Sequence, residues 1–476
     1  MTITLPSPRL VAEEQRPPRG LLTVLLTASF VTTLDFFVVN VAIPSLQARL
    51  HAGPAGIQWV VAGFGLALAA ALVPAGRLGD RFGRRRIFAL GLLLFTLSSA
   101  ACGLAPSTGS LIAGRVVQGL SAALMGPQVL AILRHSYTGA AQAKAFGRYA
   151  LSLGIGAVLG QLIGGLLIKA DLFDLGWRTC FLVNVPVGLV TLAVVKRCVP
   201  ESRAPLEVPA AGGRGGTGLD LAGSALVAAA LTALVLPLIQ GQSQGWPLWT
   251  WLCLAGSAAL FALFALHQSR LAAHPVLDPR LLREPGFAVG ILAQLGFNLG
   301  QASFFLVLAL YLQMGHGLDA LGSGLLFVSI GGGYLLTSLN AHRVAARLGR
   351  GAVALGTAGM AAGLGVLALT AQCVGTAGSA WWLAPGMFLD GLGMGLVIAP
   401  LTGSTLAAVR PRLVGSAAGA VATTQQVGNA LGVALLGILF YRAVHQGWTH
   451  AFVLSMLVLA VLELAVAALS RLLPKN

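Results

Sequence analysis

The chain has 476 residues, 57% of them hydrophobic and only 9% charged, with a mean hydropathy of +0.85. A soluble domain is about half apolar, so a water-soluble domain is excluded. The formal net charge of +16 would suit a nucleic-acid binder, so its distribution along the chain decides what it is for.

Residues 1–19 are polar and proline-bearing and read as a disordered cytoplasmic lead. The first apolar stretch, 21–43, is too long for a signal-peptide core and is not closed by a small-residue cleavage site, so it reads as a retained helix. Further stretches long enough to cross a bilayer as helices follow at 56–75, 87–105, 110–133, 145–168, 180–196, 219–240, 249–267, 286–312, 321–340, 352–371, 381–404, 415–440 and 449–469, fourteen in all. The expected fold class is an all-α polytopic membrane protein. The expected layout is a six-helix half at 20–198, a cytoplasmic Pro/Gly-rich linker at 199–218, two extra helices and a loop at 219–285, and a second six-helix half at 286–476.

With the N-terminus inside, twenty-five of the 30 Lys and Arg residues fall on the inner side and four, Arg49, Lys169, Arg178 and Arg442, on the outer side. This is the positive-inside bias, and it places both termini in the cytoplasm of a cell with the chain in its plasma membrane. All eight tryptophans fall at or near outer ends of spans, where an aromatic belt belongs. The basicity is therefore topogenic, and no nucleic-acid partner is expected.

The five cysteines (Cys102, Cys180, Cys198, Cys253, Cys373) show no CxxC spacing and the eight histidines no ligand pairing, so neither a metal site nor a disulfide framework is expected. Loops stay short, leaving no room for a catalytic domain, and no GxxxxGK[ST] loop occurs to bind a nucleotide. The expectation is a non-enzyme without cofactor, in contact with lipid and acting as a monomer.

Charge is concentrated in "GRLGDRFGRRR" (76–86), after the second span, where six of eleven residues are ionic. Part of it recurs as "HRVAARLGRGA" (342–352) after the tenth span: Arg343, Arg347, Gly349 and Arg350 match Arg77, Arg81, Gly83 and Arg84 at an offset of 266. Leu46-Gln47 matches Leu312-Gln313 at the same offset, and Gln118-Gly119-Leu120 resembles Asp390-Gly391-Leu392 at 272. Weak symmetry of this kind accompanies transporters built from two six-helix halves.

"GRLGDRFGRRR" resembles the signature after helix two in the major facilitator superfamily. "LDFFVVNVAIPSL" (34–46), "RVVQGLSAALMGP" (115–127) and "WRTCFLVNVPVG" (177–188) are similar to its fourteen-helix drug:proton antiporter branch. One departure is Gln161 in "GAVLGQLIGG", where the helix-five antiporter motif usually has proline. The resemblance implies two pseudo-symmetric halves with two extra central helices. It also implies multidrug efflux, export of small amphipathic or cationic compounds in exchange for protons, with the proton gradient as driver. The alternative is a dedicated exporter of one metabolite or self-made antibiotic.

The resemblance also implies roles for particular residues. Gly76, Asp80, Arg81, Gly83 and Arg84 would form a cytoplasmic latch between the halves. The arginines also orient the helices, but topology needs no acid at Asp80. In span five, Gly156, Gly160 and Gly164 (with Gly165) stand at four-residue spacing, which lets helices approach closely. The first helix of each three-helix repeat, spans one, four, nine and twelve, would surround a central cavity. These carry Asp35, Arg115, Gln118, Gln294, Asn298, Gln301 and Asp390. Gln294, Asn298 and Gln301 share a helical face. Asp35 and Asp390 each lie about 13 Å from the outer ends of their spans, and Arg115 about 8 Å. Asp35 would carry the proton and Arg115 tune it, while Gln118, Gln294, Asn298, Gln301 and Asp390 would meet substrate. Glu463, outside this quartet, reads as structural or lipid-facing.

Overall fold

The computed structural model describes residues 18–202, 220–241, 244–271, 281–409 and 414–473. The lead before residue 18 and most of the expected linker, 203–219, lie outside the described residues. Among the described residues all regular structure is helical, and fourteen helices are long and apolar enough to span a membrane. They are α1 (Leu21–Leu50), α2 (Pro54–Phe82), α3 (Arg84–Gly103), α4 (Thr108–Ser136), α5 (Gly139–Ala170), α6 (Asn184–Cys198, led in by a short helix at Thr179–Leu182) and α7 (Leu221–Gln240). Then follow α8 (Leu248–Leu266), α9 (Pro285–Leu310), α10 (Ala320–Ser338), α11 (Gly351–Val374), α12 (Ala384–Ala407), α13 (Val414–Ala443) and α14 (Trp448–Ser470).

Local chemistry sets several boundaries. Ser107 caps α4 by accepting from the Ser110 amide while the Ser110 hydroxyl answers the Ser107 amide, a reciprocal capping box. Asp220 and Asp319 accept from the amides of Gly223 and Gly322 at the starts of α7 and α10. The repeated loop motif has a backbone reason. Gly83 between α2 and α3 has φ +107 and Gly349 before α11 has φ +53, a region that side chains with a Cβ enter at a cost. The two matched glycines therefore break the chain at equivalent places.

Helix pairs in the first half recur in the second. The pairs α1–α5, α2–α4, α3–α4 and α3–α6 correspond to α9–α13, α10–α12, α11–α12 and α11–α14. The halves meet through α2 against α13 and α5 against α10, while α7 and α8 pair with each other and α7 leans on α2 and α13. The extra pair therefore sits beside the seam, outside both six-helix halves.

The glycine stripe of α5 acts within its own half. A Cβ at Gly156 or Gly160 would stand 3.0 Å from the carbonyl oxygen of Phe30 or Leu34, so both glycines let α5 lie against α1. Gly164 packs on Val38 of the same helix. A different face of α5 crosses to the other half: Gly165 abuts the Ala320 carbonyl, Val158 fills the space over Gly331, and Gly154 receives the Tyr334 ring. α13 repeats the scheme, with Gly428 and Gly432 on the α9 backbone and Gly437 under Gln58 of α2.

Candidate functional site

Asp35 is fully buried and is the hub of a polar cluster built from five helices. The Arg115 guanidinium on α4 donates to Asp35 Oδ2 through Nη1. Gln118 Nε2, one turn further on α4, donates to Asp35 Oδ1 at 2.8 Å, and Asn184 Nδ2 on α6 donates to the same oxygen at 2.7 Å. Ser99 of α3 accepts from Gln118 at 2.8 Å, and the Val60 carbonyl of α2 accepts from Arg115 Nε at 3.1 Å. The guanidinium lies 4.5 Å from the Phe64 ring centroid, which adds a cation–π contact. Charge in hydrocarbon survives when paired and hydrogen-bonded, and here the carboxylate has three donors.

Asp35, Arg115 and Gln118 are thus brought together, but away from the central cavity. A cavity of about 1380 Å³ lies between the halves, and none of the three lines it. It runs from mid-depth, at Phe297 and Gln301, to the ends of α5 and α11 at Lys144 and Arg350. Gln294, Asn298 and Gln301 do line it, as their shared face requires. Gln425 and Asn429 of α13 face them, with Phe36 and Phe37 of α1 and Tyr334 of α10 supplying aromatic wall. Gln294 Nε2 donates to Thr402 Oγ1 at 3.0 Å, and its Oε1 accepts from Gln425 at 3.1 Å and Asn298 at 3.3 Å. No Asp or Glu lines the cavity among the described residues, whereas Lys144, Arg148, Arg347 and Arg350 ring its mouth.

The opposite end is shut by apolar packing. The second half of α9 from Ala302 to Leu310 is buried throughout, Phe305 stacks on Phe327 at 5.7 Å, and Phe37 meets Phe305 at 5.0 Å. Lys169 at the end of α5 pairs with Asp319 at the start of α10 at 3.0 Å, bridging the two halves at the rim.

Asp390 also departs from its expected place. It is 1% exposed and faces, with Glu463 of α14, a small internal space in the second half rather than the cavity. Glu463 is equally buried, so it does not face lipid. Which helices carry polar residues was readable from the sequence; their rotation about the helix axis, which selects cavity or interior, was not.

At the α2–α3 junction, Asp80 in the last turn of α2 pairs with Arg84, the first residue of α3, at 2.9 Å, a bridge between neighbouring helix ends of one half. Gly76 packs on Pro127, and the Arg81 guanidinium lies 5.3 Å from the Phe82 ring centroid. A second acid, Glu201, closes over Gly83. It accepts from the Arg85 amide at 3.2 Å and lies 3.5 and 3.6 Å from the Arg85 and Arg86 guanidiniums. With the cavity open on this side, Asp80 forms no hydrogen bond or ion pair with the other half among the described residues.

The sequence profile of the Major Facilitator Superfamily matches residues 25–433, most of the chain. The chain belongs to the Major Facilitator Superfamily. The puromycin resistance protein of Streptomyces alboniger is 37% identical over 444 residues, 90% of this chain and 82% of its own length. The cephamycin export protein of Amycolatopsis lactamdurans is 35% identical, covering 95% of this chain and 92% of its own. The tetracenomycin C resistance and export protein of Streptomyces glaucescens is 33% identical over 89% and 76% of the two chains. In fold, the chain matches a POT family transporter with a TM-score of 0.68 at 15% identity, over 96% of this chain and 97% of that one. It also matches the xylose transporter of E. coli, with a TM-score of 0.63 at 16% identity over 94% and 97%. The superfamily chain described here is a multi-pass membrane protein.

Proposed function

We propose that the protein is a secondary transporter that exports small amphipathic compounds from the cytoplasm in exchange for protons, working as a single chain with no cofactor beyond the proton gradient. The basic mouth of the cavity is then cytoplasmic, with both termini on that side, following the arginine and lysine distribution. The observation that carries this reading is the pairing of a cavity of about 1380 Å³ between the halves with a buried Asp35–Arg115 cluster inside the first half. Small molecules would enter between α5 and α10–α11 and rest against the amide groups of Gln294, Asn298, Gln301 and Gln425 and the rings of Phe36 and Phe37. Asp35 would take up a proton when a change of state moves Arg115 away, because an unpaired carboxylate in that setting is costly.

The lining narrows the substrate class. A cavity whose described lining holds no carboxylate and whose rim is cationic suits neutral or anionic aromatic compounds better than the cationic ones suggested by the general drug-export reading. The relatives named for puromycin, cephamycin and tetracenomycin C make export of a single natural product the second reading. Purified protein in proteoliposomes with an imposed pH gradient should move one or more of these three compounds, and a protonophore should stop it. One substrate among a wide panel would favour the dedicated exporter. Equal movement with and without the gradient would overturn proton exchange.

A further inference from the structure

The offset that aligns the two halves has a consequence at the buried acids. Adding 266 to Asp35 gives Gln301, and adding 272 to Gln118 and Arg115 gives Asp390 and Met387. The second half therefore keeps the positions of the Asp35 cluster but exchanges the groups. An amide stands on its first helix, an acid on its fourth, and a methionine replaces the arginine. The sixth helix of the second half adds Glu463, which is 279 residues from Asn184 and so is an addition rather than its counterpart.

Asp390 and Glu463 border one small internal space. All four of their carboxyl oxygens are buried without a hydrogen-bond partner. Around them α9 presents Gly300, Gln301 and Phe304, α11 presents Met360 and Leu364, and α14 presents Leu459. No other ionisable group lines this space among the described residues. Gln301 is 9% exposed, its Nε2 has no partner, and it borders both this space and the central cavity. Glu463 packs over the neighbouring Gly300, where a Cβ would stand 2.8 Å from its Oε1.

Two facing carboxyls without cation or donor cannot both be charged. We propose that Asp390 and Glu463 together hold an exchangeable proton, released to water in the central cavity when the cavity's occupant turns Gln301 toward them. On this proposal the pair carries both protons in the conformation described. Release leaves one negative charge shared by the two carboxyls, stabilised by a hydrogen bond from Gln301 Nε2, and one proton in the cavity. The pair is thus a second proton site, and assigning it a part in transport rests on the antiport reading above.

The test needs no transported compound. The first measurement is the infrared absorption of protonated carboxyls in reconstituted full-length protein. Asp390→Asn and Glu463→Gln should each remove intensity that Asp35→Asn leaves in place, and no loss from either would overturn the proposal. The second uses Gly147→Cys, a cavity-lining position where a Cβ meets nothing within 4 Å. Its rate of thiol labelling, corrected for thiol ionisation with denatured protein, reports how often the cytoplasmic side is open. Linking one proton to this state lets the rate fall by up to about tenfold per pH unit as pH rises. Asp390→Asn/Glu463→Gln should flatten that profile, and Gln301→Leu should shift it to higher pH. A profile unchanged in both would overturn the proposal, as would a fall in labelling produced at constant pH by sodium but not by choline. Because no transport is measured, a silent proteoliposome assay would leave these readouts intact.

Discussion

The Arg115 guanidinium of α4 and the Asp35 carboxylate of α1 face each other with neither side chain exposed, and Gln118 and Asn184 complete the carboxylate's shell. Asp35→Asn therefore does two things at once. It removes a titratable group, and it leaves a buried cation whose Nη2 already lacks a partner. Breaking a buried pair from one side costs about 3–5 kcal/mol. The single variant should insert but unfold at lower temperature and should not move substrate on a pH gradient. Asp35→Asn/Arg115→Met should recover most of the stability without recovering transport, whereas Asp35→Glu should keep partial activity. Wild-type pumping by Asp35→Asn would move the coupling role away from this residue.

Asp80 of α2 and Glu201, which follows α6, take different partners at the α2–α3 junction. Asp80 is 43% exposed and pairs with Arg84 one turn away, so that bridge stabilises by no more than about 1 kcal/mol. Asp80→Asn should leave expression and thermal stability unchanged yet slow turnover, because a latch must find its partner in the other half when the cytoplasmic side closes. Arg85→Ala should slow it much less, since neighbouring arginines maintain the inside bias. Turnover reduced equally and slightly by both would leave the stretch as a topology signal alone.

Fourteen spans were legible because so few charges interrupt the apolar runs, and the i, i+4, i+7 spacing of Gln294, Asn298 and Gln301 puts them on one helix face, which lines the cavity. Gln425 and Asn429 carry the same four-residue signal in "TTQQVGNA" and could have been found by it. Asn184 stood inside a quoted motif, yet a lone amide gives no periodicity from which to infer that it points at Asp35. Asp390 and Glu463 lie 73 residues apart in sequence, and only the packing of α12 and α14 around α11 brings them to one space. Depth along a helix follows from counting residues. Azimuth follows from tertiary packing.

On the far side, Lys169 and Asp319 tie α5 to α10 where the cavity is shut. A hydrogen bond from the Gly322 amide, then the Lys169 ammonium, hold the Asp319 carboxyl below its usual range. The sign follows: the tie is complete above the ordinary aspartate range and is lost only as pH falls below the depressed value. Both side chains are more than half exposed, so high salt should weaken it. Asp319→Asn, or 1 M-range salt by order of magnitude, should raise thiol labelling from outside at a cysteine placed at Leu318. Labelling indifferent to the variant and to salt would deny the pair a gating part.

The charge of the cavity lining supplies the most direct test of substrate class. Asn429 lines the cavity from α13, and its amide makes only a 3.4 Å contact with Gln426, so Asn429→Asp changes charge with little change of shape or bonding. In a site with an effective dielectric near 20, one charge about 5 Å from a charged ligand is worth about 3 kcal/mol before screening by water. After screening, a change of about tenfold in preference, or 1.4 kcal/mol, is the expected scale. If the cavity favours neutral and anionic compounds because its described lining holds no acid, Asn429→Asp should weaken export of an anionic aromatic compound and strengthen that of a cationic one of equal size. Neutral compounds should change little. Competition between such a pair in the same vesicles reads the ratio directly and cancels differences in protein amount. A ratio unmoved by the added carboxylate would mean that substrates sit elsewhere than against α13, and the amide face of α9 would then lose its assigned role as well.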